Sequence, residues 1–240
     1  MLREHHYFSA IYFWVGLPQV IALDGISFPF PEIKQVISST NNLVELHLLK
    51  ISKTGYFSAD ALVTALSTLT QLRELEVGFH YPASLSTEST TSPPLQRTTF
   101  PSLCLLKFRG ASEYLEEFAS RVDLPQASLH YISIGLFNQI FFEIPQICRS
   151  IPFVDASMFP AQVEIFMVSY TVSLYFRQKG KRGIKSRECS LNTVCERIDW
   201  QLSFVTEVAS QLSPLLKGVG ILDVSMFGGE TGEGDVESTQ

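Results

Sequence analysis

Residues 43–51 read "LVELHLLKI", and the placement of the leucines in this stretch decides the fold. Leu43, Leu46 and Leu48 occupy its first, fourth and sixth positions. The same spacing returns in "LRELEV" from Leu72, "LCLLKF" from Leu103 and "LHYISI" from Leu129, at intervals of 29, 31 and 26 residues. An earlier copy lies in "PQVIALDGI", where Ile21, Leu23 and Ile26 align with Leu46, Leu48 and Ile51. A late one lies in "VGILDV", through Val219, Leu222 and Val224. Apolar residues alternating with polar ones are the signature of a strand with one buried face. Their return every 25–31 residues predicts stacked βα units, close to the roughly 20–29 residues of a leucine-rich repeat.

The intervening segments carry helical patterns, as such units require. "SADALVTALSTL" offers Ser58 as N-cap, Asp60 in the first turn and Leu62, Leu66 and Leu69 on one stripe. "ASEYLEEFASRV" offers Ser112 as cap, with Leu115, Phe118, Ala119 and Val122 facing in. "FPEIKQVISST" is shorter and turns Ile33, Val36 and Ile37 inward. A unit of this size cannot bury its apolar face alone, so neighbours must stack.

After Phe137 the rhythm stops. "AQVEIFMVSYTVSLYFR" alternates like two strands, through Val163, Ile165 and Met167 and then Val172, Leu174 and Phe176, and "CSLNTVC" resembles a third. "DWQLSFVTEVASQL" reads as a helix with Asp199 as N-cap and Val205, Val208, Ala209 and Leu212 on one face. The expected fold is therefore α/β: a leucine-rich-repeat solenoid, a curved parallel sheet with outer helices, carrying a β-rich insert near the C-terminus. Residues 1–16 form an N-terminal segment and 17–137 the repeats, with a Ser/Thr/Pro-rich solvent loop over 81–99. Residues 138–225 hold irregular repeats, the hairpin insert and a capping helix, and 226–240 an acidic Gly-rich tail expected to be disordered.

Composition narrows the function. A 240-residue chain that is 45% hydrophobic can bury a sizeable core, and a net charge of −6 disfavours wrapping nucleic acid. The cysteines Cys104, Cys148, Cys189 and Cys195 show no C-x-x-C spacing and there is no N-x-S/T sequon, which points to the cytoplasm or nucleus. The apolar run from Tyr7 to Leu23 is broken by Gly16 and Pro18, so neither a signal peptide nor a membrane span is expected. Phosphate-loop, dinucleotide, nucleophile-elbow and zinc-protease signatures are missing, and neither catalysis nor a cofactor is expected. No metal site is expected either. His5 and His6 are adjacent and lack a third ligand, and Cys189 and Cys195 read as buried thiols.

Two groups of residues remain as binding candidates. "RQKGKRGIKSR" carries Arg177, Lys179, Lys181, Arg182, Lys185 and Arg187, which suits an exposed hairpin loop, nuclear targeting or an anionic partner such as nucleic acid. The other group lies between the leucines. If these point inward, Glu45 and His47, Glu74 and Glu76, Lys107 and Arg109, and Tyr131 line the concave sheet face. Either the acidic and basic pairs are cross-strand ion pairs of at most about 1 kcal/mol, or they form a binding face with Tyr131 and His47 as anchors.

"KTGYFSADALVTALSTLTQLRELEVGFHYP", "PPLQRTTFPSLCLLKFRGASEYLEEF", "LFNQIFFEIPQI" and "CERIDWQLS" together resemble the fungal F-box-like leucine-rich-repeat proteins, over about Leu17 to Val224. The resemblance implies an intracellular protein-recognition module. In that family an N-terminal F-box recruits the adaptor of a cullin-type ubiquitin ligase and the repeats hold the substrate. Only sixteen residues stand before Leu17, so an F-box, and with it adaptor recruitment, is not expected in this chain. The ninth repeat position, usually Asn or Cys, is held by Ile26, Ile51, His80, Ala111 and Phe137, so the usual side-chain ladder is expected to be lacking. A substrate receptor or its remnant is the leading expectation, and a scaffold or sensor unconnected with ubiquitin the next.

Overall fold

Each leucine trio becomes a strand whose apolar residues turn to one side. The computed structural model describes residues 19–80, 97–125, 128–137, 161–168, 170–178, 186–195, 197–211 and 219–227. In chain order these form β1 (Val20–Asp24), α1 (Phe30–Ser38), β2 (Glu45–Ile51), α2 (Ala59–Leu66), β3 (Glu74–Phe79), β4 (Thr98–Thr99), β5 (Leu105–Gly110), α3 (Ser112–Arg121), β6 (Val122–Asp123) and β7 (Tyr131–Leu136). Then follow β8 (Ala161–Val168), β9 (Thr171–Gln178), β10 (Arg187–Val194), α4 (Ile198–Gln211) and β11 (Val219–Phe227). The protein is α/β, with a nine-stranded sheet in the order β1-β2-β3-β5-β7-β10-β9-β8-β11. Only β9 runs against its neighbours.

Successive units are joined in the same way each time. The N–H groups of Val44 and Glu45 both donate to the Gln19 carbonyl, those of Arg73 and Glu74 to Val44, those of Cys104 and Leu105 to Arg73, and those of His130 and Tyr131 to Cys104, at 2.7–3.3 Å. With His130, whose carbonyl accepts from Glu188 N–H at 2.8 Å, the accepting residues follow one another at the 25-, 29-, 31- and 26-residue intervals of the leucine pattern. At the far end of the strands the backbone supplies the ties that side chains were not expected to make. Ser52 N–H donates to the Ile26 carbonyl at 2.8 Å, His80 N–H to Ile51 at 2.9 Å and Phe137 N–H to Gly110 at 3.1 Å. Pairing the groups at strand entry and exit removes the cost of burying them unsatisfied.

The core lies on one side of the sheet. Leu46, Leu75, Leu106, Ile132, Cys189, Phe176 and Val163 are register neighbours across seven strands, all buried. Ile33 and Ile37 of α1, Leu62 and Leu66 of α2, Leu115 and Phe118 of α3, and Phe204 and Val208 of α4 close over this face. Ser58 caps α2, its hydroxyl accepting from Ala61 N–H at 3.1 Å. An aromatic cluster fills the space behind β3 and β5. The Phe79 ring lies 4.7 Å from Tyr114 and 6.2 Å from Phe108, and Phe108 stacks on Tyr114 at 5.8 Å. Burial there pushes the Tyr114 phenol well above its ordinary value, with Tyr56 and Glu117 adding to the shift. Arg121, the buried last residue of α3, donates to Asp60 of α2 at 2.6 Å and to Glu117 at 3.2 Å, so a desolvated guanidinium is paired across two helices.

Several expectations change. Ser112 is the first residue of α3 and not its cap, a position taken by Ala111 without a side-chain bond. Asp199 lies in the first turn of α4, and the buried stripe runs through Gln201, Phe204 and Val208, because Gln201 reaches back to the carbonyls of Val168 and Cys195. Leu212 and residues 81–96 of the expected loop lie outside the described residues. Thr98 and Thr99 are a strand, pairing with β6 beside Arg97, which is bound to Asp123 at 3.1 Å. The three strands expected as an insert belong to the main sheet, because β10 pairs with β7 and brings the hairpin partners with it. β11 does not follow β10 in space; after α4 it joins the outer edge of β8. Its Leu222 and Val224 remain 63% and 51% exposed, so the leucine-like spacing there marks a strand without a buried face.

Candidate functional site

A parallel sheet is ordinarily covered on both faces and its strands are then apolar throughout. Here the strands alternate, and the second face carries polar residues that no described element covers. Register fixes which of them meet. One row runs Ala22, His47, Glu76, Lys107, Ser133, Ser190, Tyr175, Glu164 and Asp223. The row before it runs Val20, Glu45, Glu74, Leu105, Tyr131, Glu188, Arg177 and Gln162.

Charge on this face is grouped. His47 Nδ1 lies 3.0 Å from Glu76 Oε2, and Lys107 Nζ lies 3.6 Å from the same carboxylate. Farther along, Arg177 binds Glu164 at 2.9 Å, lies 3.7 Å from Glu188 and covers the Tyr175 ring at 5.5 Å. Between the two groups Ser190 donates to the Ser133 hydroxyl at 3.0 Å. Exposed pairs of this kind contribute about 0–1 kcal/mol each, so they shape the face more than they hold the fold.

At the C-terminal end of the strands Gly78, Arg109, Gly135 and Asn192 stand in register. The missing side chains at Gly78 and Gly135 leave a hollow of about 560 Å³ flanking Arg109, bounded also by Lys50, Lys107 and Ser133. Arg109 is exposed and meets no carboxylate among the described residues; the Phe137 ring lies 6.0 Å from its guanidinium. Lys50, by contrast, is held by Asp24 at 2.9 Å. Glu76 also lines the hollow, 3.6 Å from Lys107, so what the hollow offers a carboxylate-bearing group is the Arg109 guanidinium with Ser133 and Asn192 beside it.

Of the residues expected on this face, Glu45, His47, Glu74, Glu76, Lys107, Arg109 and Tyr131 all lie on it. Their pairing differs from the simple one, since Glu74 stands opposite Leu105 and Arg109 opposite Gly78, while Glu76 stands between His47 and Lys107. The sequence reading of this face stopped at Tyr131 and missed Glu164, Tyr175, Glu188 and Ser190, and it assigned Arg177 to the basic segment, whereas all five extend the same face. The alternation in β8 to β10 was the available signal, and only the pairing of β10 with β7 shows that they share the sheet.

Of the basic segment, Arg177 and Arg187 lie in β9 and β10, with Arg177 engaged by Glu164; Lys179, Lys181, Arg182 and Lys185 lie outside the described residues. His5 and His6 are outside them as well. Cys189 and Cys195 are buried and form no disulfide, and burial raises the Cys195 thiol, with Thr193 opposing the shift. Among the described residues no helix is long and apolar enough to cross a membrane. Comparison with known proteins gives no match to a family model, to a curated sequence or to a solved structure.

Proposed function

We propose that this chain is a protein-recognition module, a solenoid of the leucine-rich-repeat type whose open sheet face binds an acidic segment of its partner. The repeated strand-entry hydrogen bonds, returning at the leucine intervals, support the solenoid reading. The observation that carries the function is Arg109, exposed in the hollow between two glycines and without a carboxylate partner among the described residues. A guanidinium flanked by space and by the hydroxyl and amide donors of Ser133 and Asn192 gives a partner's Asp or Glu side chain a bidentate seat. By its resemblance to the F-box-like leucine-rich-repeat proteins, whose repeats hold substrates for a cullin-type ubiquitin ligase, we read the present chain as a substrate receptor or the remnant of one.

The test is affinity capture of the tagged chain from its native cell extract, beside a variant carrying Lys107→Glu and Arg109→Glu. Both side chains are on the open face, so the variant should keep the circular-dichroism spectrum of the parent. Recovery of ligase subunits together with a protein lost from the variant supports the receptor role. Recovery of a variant-sensitive protein without ligase subunits leaves a free-standing recognition module. Capture unaffected by the double reversal, with the fold intact, removes the open face as the binding surface.

A further inference from the structure

Beside the hollow, at the β2–β3 junction, three potential ligand groups converge. Glu45 and Glu74 are direct register partners on adjacent parallel strands, and His47 stands two residues beyond Glu45 on the same face. One ligand atom from each of Glu45, His47 and Glu74 lies within 4.8 Å of the others. We propose that these three residues form a binding site for a divalent metal ion of the zinc class, with Glu76 positioning the imidazole.

The tautomer of His47 is the first argument. Its Nδ1 is 3.0 Å from Glu76 Oε2, a contact between a ring nitrogen and a group that only accepts, so Nδ1 carries the proton. Lys107 Nζ, from the neighbouring strand β5, lies 3.6 Å from the same oxygen. Nε2 is then the ring nitrogen left for a ligand, and it faces Glu45. A carboxylate bound to the far nitrogen of a histidine is how metal-binding imidazoles are commonly oriented.

Distance supplies the second. Nε2 and Glu45 Oε2 are 3.7 Å apart, beyond hydrogen-bond distance. Ligand atoms at about 2.0–2.1 Å around a tetrahedral ion stand roughly 3.3 Å from one another. The observed separation closes to that value with small side-chain rotations. All three residues are half-buried, which limits competing hydration while leaving an open side for water or a partner's group as the fourth ligand.

Charge supplies the third. Like charges directly opposite on neighbouring strands repel. Glu76 has Lys107, but neither Glu45 nor Glu74 has a lysine or arginine partner among the described residues. A dication placed between them removes that repulsion. This inference does not depend on the partner-binding reading, because it concerns the chain alone.

The experiment is calorimetric titration of the chelator-treated chain with zinc chloride, repeated with cobalt(II) and followed by visible absorption. One ion per chain is expected, with cobalt bands of low-coordinate N/O ligation and a rise in melting temperature on adding zinc. His47→Ala and Glu74→Gln should each lower the affinity at least 10-fold, and Glu76→Gln roughly 10–100-fold, the range for loss of an orienting group. His130→Ala, away from the cluster, should change nothing. Glu74→Gln also guards against misfolding as an explanation, since it should melt no lower than the metal-free parent while losing the zinc-induced rise. Absence of stoichiometric binding, or binding unchanged in both His47→Ala and Glu74→Gln, overturns the proposal.

Discussion

Gly110 ends β5 with its Cα turned to the aromatic cluster, and its replacement by alanine separates the two faces of the sheet. A methyl group there would lie 2.7 Å from Phe108 Cζ and 2.9 Å from Phe79 Cδ2, inside van der Waals contact. Neither ring can withdraw freely. Phe108 is stacked on Tyr114 at 5.8 Å, and Phe79 is held between Tyr114 at 4.7 Å and Phe57 at 6.0 Å. Overpacking of this kind costs about 1–3 kcal/mol. On the open face the same change meets room. A methyl at Gly78 finds nothing closer than 3.7 Å and one at Gly135 nothing closer than 3.6 Å, both ordinary contacts. There the reduced freedom of the unfolded chain should dominate, a gain of up to about 1 kcal/mol. Gly110→Ala should therefore lower, and Gly78→Ala and Gly135→Ala hold or raise, the midpoint of urea unfolding followed by far-ultraviolet circular dichroism. Near-ultraviolet dichroism should change only for Gly110→Ala. A Gly110→Ala midpoint equal to that of the parent would refute the placement of the rings. A loss at Gly78 and Gly135 matching that at Gly110 would show that the face we describe as open is covered.

Two further substitutions test the core and a turn. Leu75→Asp puts a carboxylate at a fully buried position in the middle of the sheet, and the array should unfold cooperatively or fail to express in soluble form; a native spectrum would remove Leu75 from the core. Lys50 has φ of 49°, the left-handed conformation that Gly25 adopts at φ 68° in the preceding unit. Lys50→Gly should stabilise by up to about 1 kcal/mol by thermal melting, the exposed pair with Asp24 contributing little to offset it, and a clear loss would mean that the ion pair outweighs the strain.

Much of this architecture was legible because strand alternation and repeat length are local properties. Leu46, Leu48, Leu75, Val77, Leu106, Phe108, Ile132 and Ile134 were placed inward from spacing alone, and all are buried. Ser58 was legible as a cap for the same reason, since it acts on an N–H three residues on. Ser112 was not, because a serine one residue before an acidic helix start fits both the cap and the first helical position, and the chain direction leaving β5 decides between them.

The sequence by itself determined an α/β chain of recurring strand-and-helix units with a charged strand face, because apolar periodicity dictates which side of each element leaves water. Tertiary structure alone decided which strands are neighbours: β10 beside β7, and β11 outside β8. Periodicity carries no information about partners far apart in the chain. That choice brought Arg177, Glu188 and Ser190 onto the face of Glu76 and Lys107. Register likewise set Glu45 opposite Glu74 and Arg109 opposite Gly78, converting alternating charges into one cluster of carboxylates around an imidazole and one guanidinium beside an open hollow.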